Sequence, residues 1–102
     1  MHVVEVFLPL CRNDGSPQPR ERFGQVRAEL VDRFGGLTAY SRAPAEGLWE
    51  EDDGAVRRDS IVIFEVIAKT LDRGWWTAFR TRLERSFEQD EILIRATAAE
   101  RL

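Results

Sequence analysis

Three residue types that carry much of enzyme chemistry are nearly missing from these 102 residues. There is one histidine (His2), one cysteine (Cys11) and one lysine (Lys69). A single cysteine excludes an internal disulfide and a cysteine-based zinc site. A Ser-His-Asp or Cys-His arrangement would have to use His2, at the fraying end of the chain, which speaks against catalysis of that kind. An excess of one charge is also missing. With 15 basic and 18 acidic residues the net charge is -3, so the basic field that a nucleic-acid partner requires is not there. No apolar run approaches the ~20 residues that span a bilayer. The start, Met1 to Val6, lacks the basic and apolar segments of a signal peptide, so the expectation is a cytoplasmic protein with no membrane partner. No cofactor motif stands out, and none is expected. The acidic turn Glu50-Glu51-Asp52-Asp53-Gly54 lacks the alternating ligands and closing glutamate of a calcium loop, so no metal is expected either. All basic residues except Lys69 are arginines, a bias that carries no function by itself.

What the chain does have is two strand-helix halves of similar pattern, and its length predicts one domain over 1–102. Val3 to Leu8 is β-branched and apolar and ends at Pro9, a strand signature. Cys11 to Pro19 is rich in turn formers, and Pro19 suits the first turn of a helix. Phe23, Val26, Leu30 and Phe34 then fall at spacings of three, four and four, one helical stripe. Gly35 is its expected C-cap. Leu37 to Glu51 reads as an extended segment, bent or at an edge because Pro44 and Gly47 interrupt it. Ile61 to Ala68 is the strongest strand. Asp72 is the expected N-cap of a second helix with its stripe at Trp76, Phe79, Leu83 and Phe87. Ile92 to Thr97 is the last strand.

The order strand, helix, strand, strand, helix, strand predicts an α+β, ferredoxin-like fold. In it, two helices cover one face of a four-stranded antiparallel sheet. Side chains alternate between the faces of a strand. If Val4, Val6 and Leu8 meet the helices, the matching sets are Val62, Phe64, Val66 and Ile92, Ile94, Ala96. The other face then carries Val3, Phe7, Ile61, Ile63, Ile67 and Leu93. No third helix remains to cover it, and the last five residues are too few. Exposed apolar surface costs about 25 cal/mol per Å², so a homodimer stacked sheet on sheet is the expected partner. Three charges share that open face: Glu5, Glu65 and Arg95. They either pair across the sheet as a network that sets dimer register, or line a pocket whose floor is polar and whose wall is aromatic. Tyr40, Arg42 and Trp49 join them if Leu37 and Ala39 face the helices. The candidate ligand-binding set is therefore Glu5, Tyr40, Arg42, Trp49, Glu65 and Arg95. Its arginines favour a small anionic ligand.

With this pattern, and with the segments Arg33-Phe34-Gly35-Gly36-Leu37-Thr38-Ala39-Tyr40 and Ala43-Pro44-Ala45-Glu46-Gly47-Leu48-Trp49, the chain resembles the dimeric α+β barrel superfamily. The segments are similar to those of small bacterial proteins without an assigned function. The resemblance implies ferredoxin-like chains whose sheets pack face to face. It allows several functions, among them cofactor-independent monooxygenases, haem-degrading enzymes, muconolactone isomerase-like proteins and ligand sensors. The Asn, Trp and His of the monooxygenase cavity have no good counterpart, because His2 has the parity of the helix face and Asn13 lies in a loop. No catalytic residue follows from the resemblance. Three functions stay open: a homodimeric ligand-binding protein, an enzyme with Glu5 or Glu65 as base and Tyr40 or Arg95 polarising a carbonyl, and an assembly protein with no ligand.

Overall fold

The run from Val3 to Leu8 forms β1 (His2–Pro9), and both of its edges are paired. The chain continues through α1 (Arg20–Phe34), β2 (Thr38–Ala39), β3 (Ala45–Glu50), β4 (Val56–Ala68), α2 (Arg73–Ser86) and β5 (Ile94–Ala98). The computed structural model describes residues 1–40, 45–50 and 56–102, and at 45–50 and 56–60 the backbone alone. All pairings are antiparallel, and the order across the sheet is β2-β4-β1-β5. β3 pairs with the first half of β4, and β2 pairs farther along the same strand. This is the ferredoxin-like order expected from the sequence, with two helices and an antiparallel sheet.

One face of the sheet packs on the helices. Val4, Val6 and Leu8 of β1 and Val62, Phe64, Val66 and Ala68 of β4 are buried there, together with Ile92. They meet Val26 and Leu30 of α1 and Trp76, Phe79 and Leu83 of α2, with Phe87 closing the end. Each valine, leucine, isoleucine and phenylalanine among them contributes about 1.5–3 kcal/mol of transfer free energy when fully buried. Both helical stripes read from the sequence therefore face the core, and so do the strand parities. Ala96 pairs with Val4 and shares its side of the sheet, but it is exposed because β5 is an edge strand.

Helix ends follow local chemistry. Gly35 takes a left-handed conformation (φ 79°), and its N–H donates to the Val31 carbonyl at 2.8 Å. The Asp72 carboxylate accepts from the Trp75 N–H at 3.0 Å, the expected N-cap. Three boundaries differ from the sequence reading. Pro19 occupies the cap position, and the helix begins at Arg20. The last strand begins at Ile94, because the Ile92 N–H donates to the Glu84 carboxylate at 3.0 Å and leaves the ladder. The segment expected as one bent strand over 37–51 is two. Thr38 and Ala45 are seven positions apart, whereas their partners Glu65 and Ile61 are four apart, so one continuous ladder cannot hold both. The acidic turn falls largely on 51–55, outside the described residues.

Two glycines, one inside α1 and one at its C-cap, should respond with opposite sign to the same substitution. Gly24 is exposed in the helix interior, and an added Cβ meets nothing within 4 Å. Gly24→Ala should stabilise by about 0.5–1 kcal/mol. Gly35 has equally open surroundings but a positive φ, so Gly35→Ala should cost about 1–2 kcal/mol through backbone strain alone. Urea denaturation of both variants checks the pair. Equal shifts of one sign would show that side-chain space, not backbone conformation, governs these positions.

Candidate functional site

The face of the sheet turned away from the helices is built by the odd-numbered residues of β1 and β4. The ladder sets Val3 opposite Ile67, Glu5 opposite Glu65 and Phe7 opposite Ile63. No helix among the described residues covers this side. Val3, Phe7, Ile61 and Ile63 are half-buried, while Ile67 and Leu93 keep 40% and 54% of their surface in solvent. The Phe7 N–H donates to the Leu93 carbonyl at 3.1 Å and carries the surface past the start of β5.

One row of this face is polar. Thr38 of β2 pairs with Glu65 of β4, Glu65 with Glu5 of β1, and Glu5 with Arg95 of β5. The three charges expected side by side do lie in register across the sheet centre. Like charges directly opposite on neighbouring strands destabilise the pair. Arg95 relieves this on one side, since its Nε donates to Glu5 Oε1 at 2.9 Å. The Arg95 guanidinium also lies 5.0 Å from the centre of the Phe7 ring. The guanidinium is thus held by a carboxylate and by an aromatic ring, a geometry in which cation–π attraction contributes about 0.5–1 kcal/mol at exposed sites. The pair is open to water, with the Arg95 side chain 58% and the Glu5 side chain 21% exposed. Such pairs are worth at most about 1 kcal/mol.

The other expected members are placed unevenly. Tyr40 follows β2, its N–H donating to the Ile63 carbonyl at 3.0 Å, and it is exposed. Trp49 is in β3 opposite Arg57, and its side chain lies outside the described residues, as does the whole of Arg42. A residue that the sequence reading missed is Arg101. The Ala99 N–H donates to the Met1 carbonyl at 3.0 Å and extends the β1–β5 pairing past the end of β5. Arg101 borders a cleft of about 300 Å³ at the β2 edge, lined by Phe34, Leu37 and Val66 from the helix side and by Thr38, Glu65 and Ile67. No pattern in the sequence marks Arg101, because its place depends on where β5 docks. Of the expected set, Glu65 is the member that lines this cleft, and it stands next to the ion pair in the polar row.

The two tryptophans of α2 belong to the helix side. Trp75 stacks on Phe79 (4.9 Å between centroids) and meets Phe34 edge-on, and Trp76 stacks on Phe34 at 5.2 Å. Among the described residues, no group of histidine, cysteine, aspartate and glutamate side chains is placed to hold a metal ion. No helix among them is long and apolar enough to cross a membrane.

No family model matches the chain, and no curated protein matches it by sequence. Two solved structures share its fold. One is a phage SAM lyase in complex with S-methyl-5'-thioadenosine, 17% identical, with a TM-score of 0.62 over 94% of this chain and 79% of that one. The other is a point mutant of CutA1 from Pyrococcus horikoshii OT3, 12% identical, with a TM-score of 0.61 over 100% of this chain and 86% of that one. At these identities the likeness shows the fold alone.

Removing Arg95 should expose the repulsion it now relieves. Arg95→Met should destabilise by about 1 kcal/mol, and Glu65→Gln added to it should recover part of that loss. Both effects should shrink in 1 M salt, where the screening length is about 3 Å. Denaturant midpoints of the single and double variants at low and high salt test this. Strictly additive effects that ignore salt would mean that the row is not electrostatically coupled.

Proposed function

We propose that this protein self-associates through the open sheet face and holds a small, anion-bearing ligand against it. The observation that carries this reading is the polar row Thr38-Glu65-Glu5-Arg95 set into a largely apolar face that no helix among the described residues covers. A second copy stacked sheet on sheet supplies the missing cover, as in the dimeric α+β barrels that the sequence resembles. Arg95 is the anchor for the ligand's negative charge. Glu5 and Phe7 fix its guanidinium in place, so little side-chain entropy is lost on binding. Glu65 and Thr38 offer an acceptor and a hydroxyl farther along the same row, beyond Glu5, and Arg101 borders the same cleft as both. Tyr40, Arg42 and Trp49 complete the proposed lining from the β2–β3 edge. The phage lyase holds S-methyl-5'-thioadenosine, so this neutral nucleoside serves as the uncharged comparison in a ligand panel of aliphatic carboxylates and phosphates.

Sedimentation of the wild type and of Ile63→Asp across a concentration series tests the assembly. The wild type should be a dimer at low micromolar concentration. The variant, which places a charge among apolar residues, should be monomeric or insoluble. A wild type that stays monomeric at high micromolar concentration would sink the reading, and a trimer would replace the face-to-face pair with another packing. A thermal-shift panel tests the ligand. A compound at a hundred times its Kd stabilises by about 2.7 kcal/mol, and Arg95→Met should abolish that shift while remaining folded. A shift that survives Arg95→Met would place the ligand elsewhere.

A further inference from the structure

At the other side of Ile67 the chain forms a larger cleft, about 510 Å³, between the C-terminal end of α1 and the N-terminal end of α2. Its lining is Arg33 and Phe34 from α1, Ile67, Lys69 and Thr70 from the end of β4 and the turn that follows, and Asp72 and Trp76 from α2. This volume lies within the ~300–1,000 Å³ usual for small-molecule sites. We infer that this cleft is a second binding site, centred on Arg33 and Lys69 at the α1–α2 junction and distinct from the Arg95 row, for a small aromatic monocarboxylate.

The argument rests on what each wall offers. Phe34 is braced from behind by the buried Trp76, on which it stacks with ring planes 15° apart, and with Ile67 it makes an apolar wall suited to a flat apolar body. Arg33 is preorganised. Its guanidinium lies 4.3 Å from the Trp75 ring centre and 5.9 Å from that of Phe34, with Asp72 Oδ2 at 3.5 Å. An arginine stacked this way keeps its planar fork available along one edge, and such a fork binds a carboxylate bidentately. Lys69 adds a compact ammonium and Thr70 a hydroxyl. Arg33 and Lys69 are two positive charges and Asp72 one negative, so the lining carries a net charge of +1 at neutral pH. That matches a monoanion better than a phosphate dianion. The backbone at the start of α2 is not the recognition element, because the Asp72 carboxylate already accepts the Trp75 N–H.

Lys69 is the only lysine in the chain, which makes the inference directly testable. Reductive methylation with carbon-13 formaldehyde keeps the charge and yields two signals, Lys69 and the N-terminal amine. Titration with benzoate should move the Lys69 signal saturably and leave the N-terminal signal in place. Benzamide, the neutral isostere, should move neither, and inorganic phosphate should bind at least about tenfold more weakly than benzoate. In unmethylated protein followed by calorimetry, Lys69→Met and Arg33→Met should each weaken benzoate about tenfold or more. Lys69 is exposed, so its variant should fold normally even if Arg33→Met perturbs the aromatic cluster. Equal response to benzamide would overturn the carboxylate requirement, and equal response to phosphate the aromatic one. Benzoate affinity unchanged by Lys69→Met, or equal movement of the N-terminal signal, would overturn the site itself. Arg95→Met should leave benzoate binding intact, so failure here and failure at the open face are separately visible.

Discussion

The ladder between β1 and β4 is the constraint on which the rest of this structure depends. It runs from His2 opposite Ala68 to Pro9 opposite Ile61 without interruption. A slip of one residue would turn Val4, Val6 and Leu8 away from the helices and bring Glu5 into the core. Burying that carboxylate without Arg95 would cost several kcal/mol, so the register is strongly specified. Once it is set, β2 and β3 find their places along the same edge of β4, and β5 docks on the free edge of β1. Each piece depends on the central pair, and the central pair depends on alternation.

The two faces created by that alternation are unlike in what they ask of the rest of the molecule. The helix side is closed within the chain by two stripes of matching spacing and by a cluster of four aromatic rings at the junction of α1 and α2. The other side holds a strip of charge in an apolar field. Charges are costly in such a place unless paired, and the Glu5–Arg95 contact meets that cost locally. Aromatic rings recur as supports for guanidinium groups: Phe7 beneath Arg95, Trp75 beneath Arg33, Phe79 beneath Arg82. In a chain with fourteen arginines and one lysine, stacking of this kind lets a positive side chain cover apolar surface without losing its charge.

Much of this architecture was legible in the amino-acid sequence. The apolar spacing determined both helices and their inner faces. Alternation determined the strand parities, and with them the shared face of Glu5, Glu65 and Arg95, because a period of two leaves no freedom once one strand's inner face is chosen. Gly35 and Asp72 marked their helix ends because each serves a local need: a left-handed turn for one, an unpaired N–H for the other. Only the tertiary structure decided what depends on elements meeting from far apart in the chain. The break between β2 and β3 follows from how much of β4 each can reach. The partnership of Arg95 with Glu5 depends on which edge β5 docks. Arg101 shares a cleft with Glu65, far from it in the chain. The cleft that gathers Arg33, Lys69 and Trp76 arises where two helix ends and a turn converge. None of these has a period or a motif, since a period records only the local chain and these placements are set by packing between distant segments.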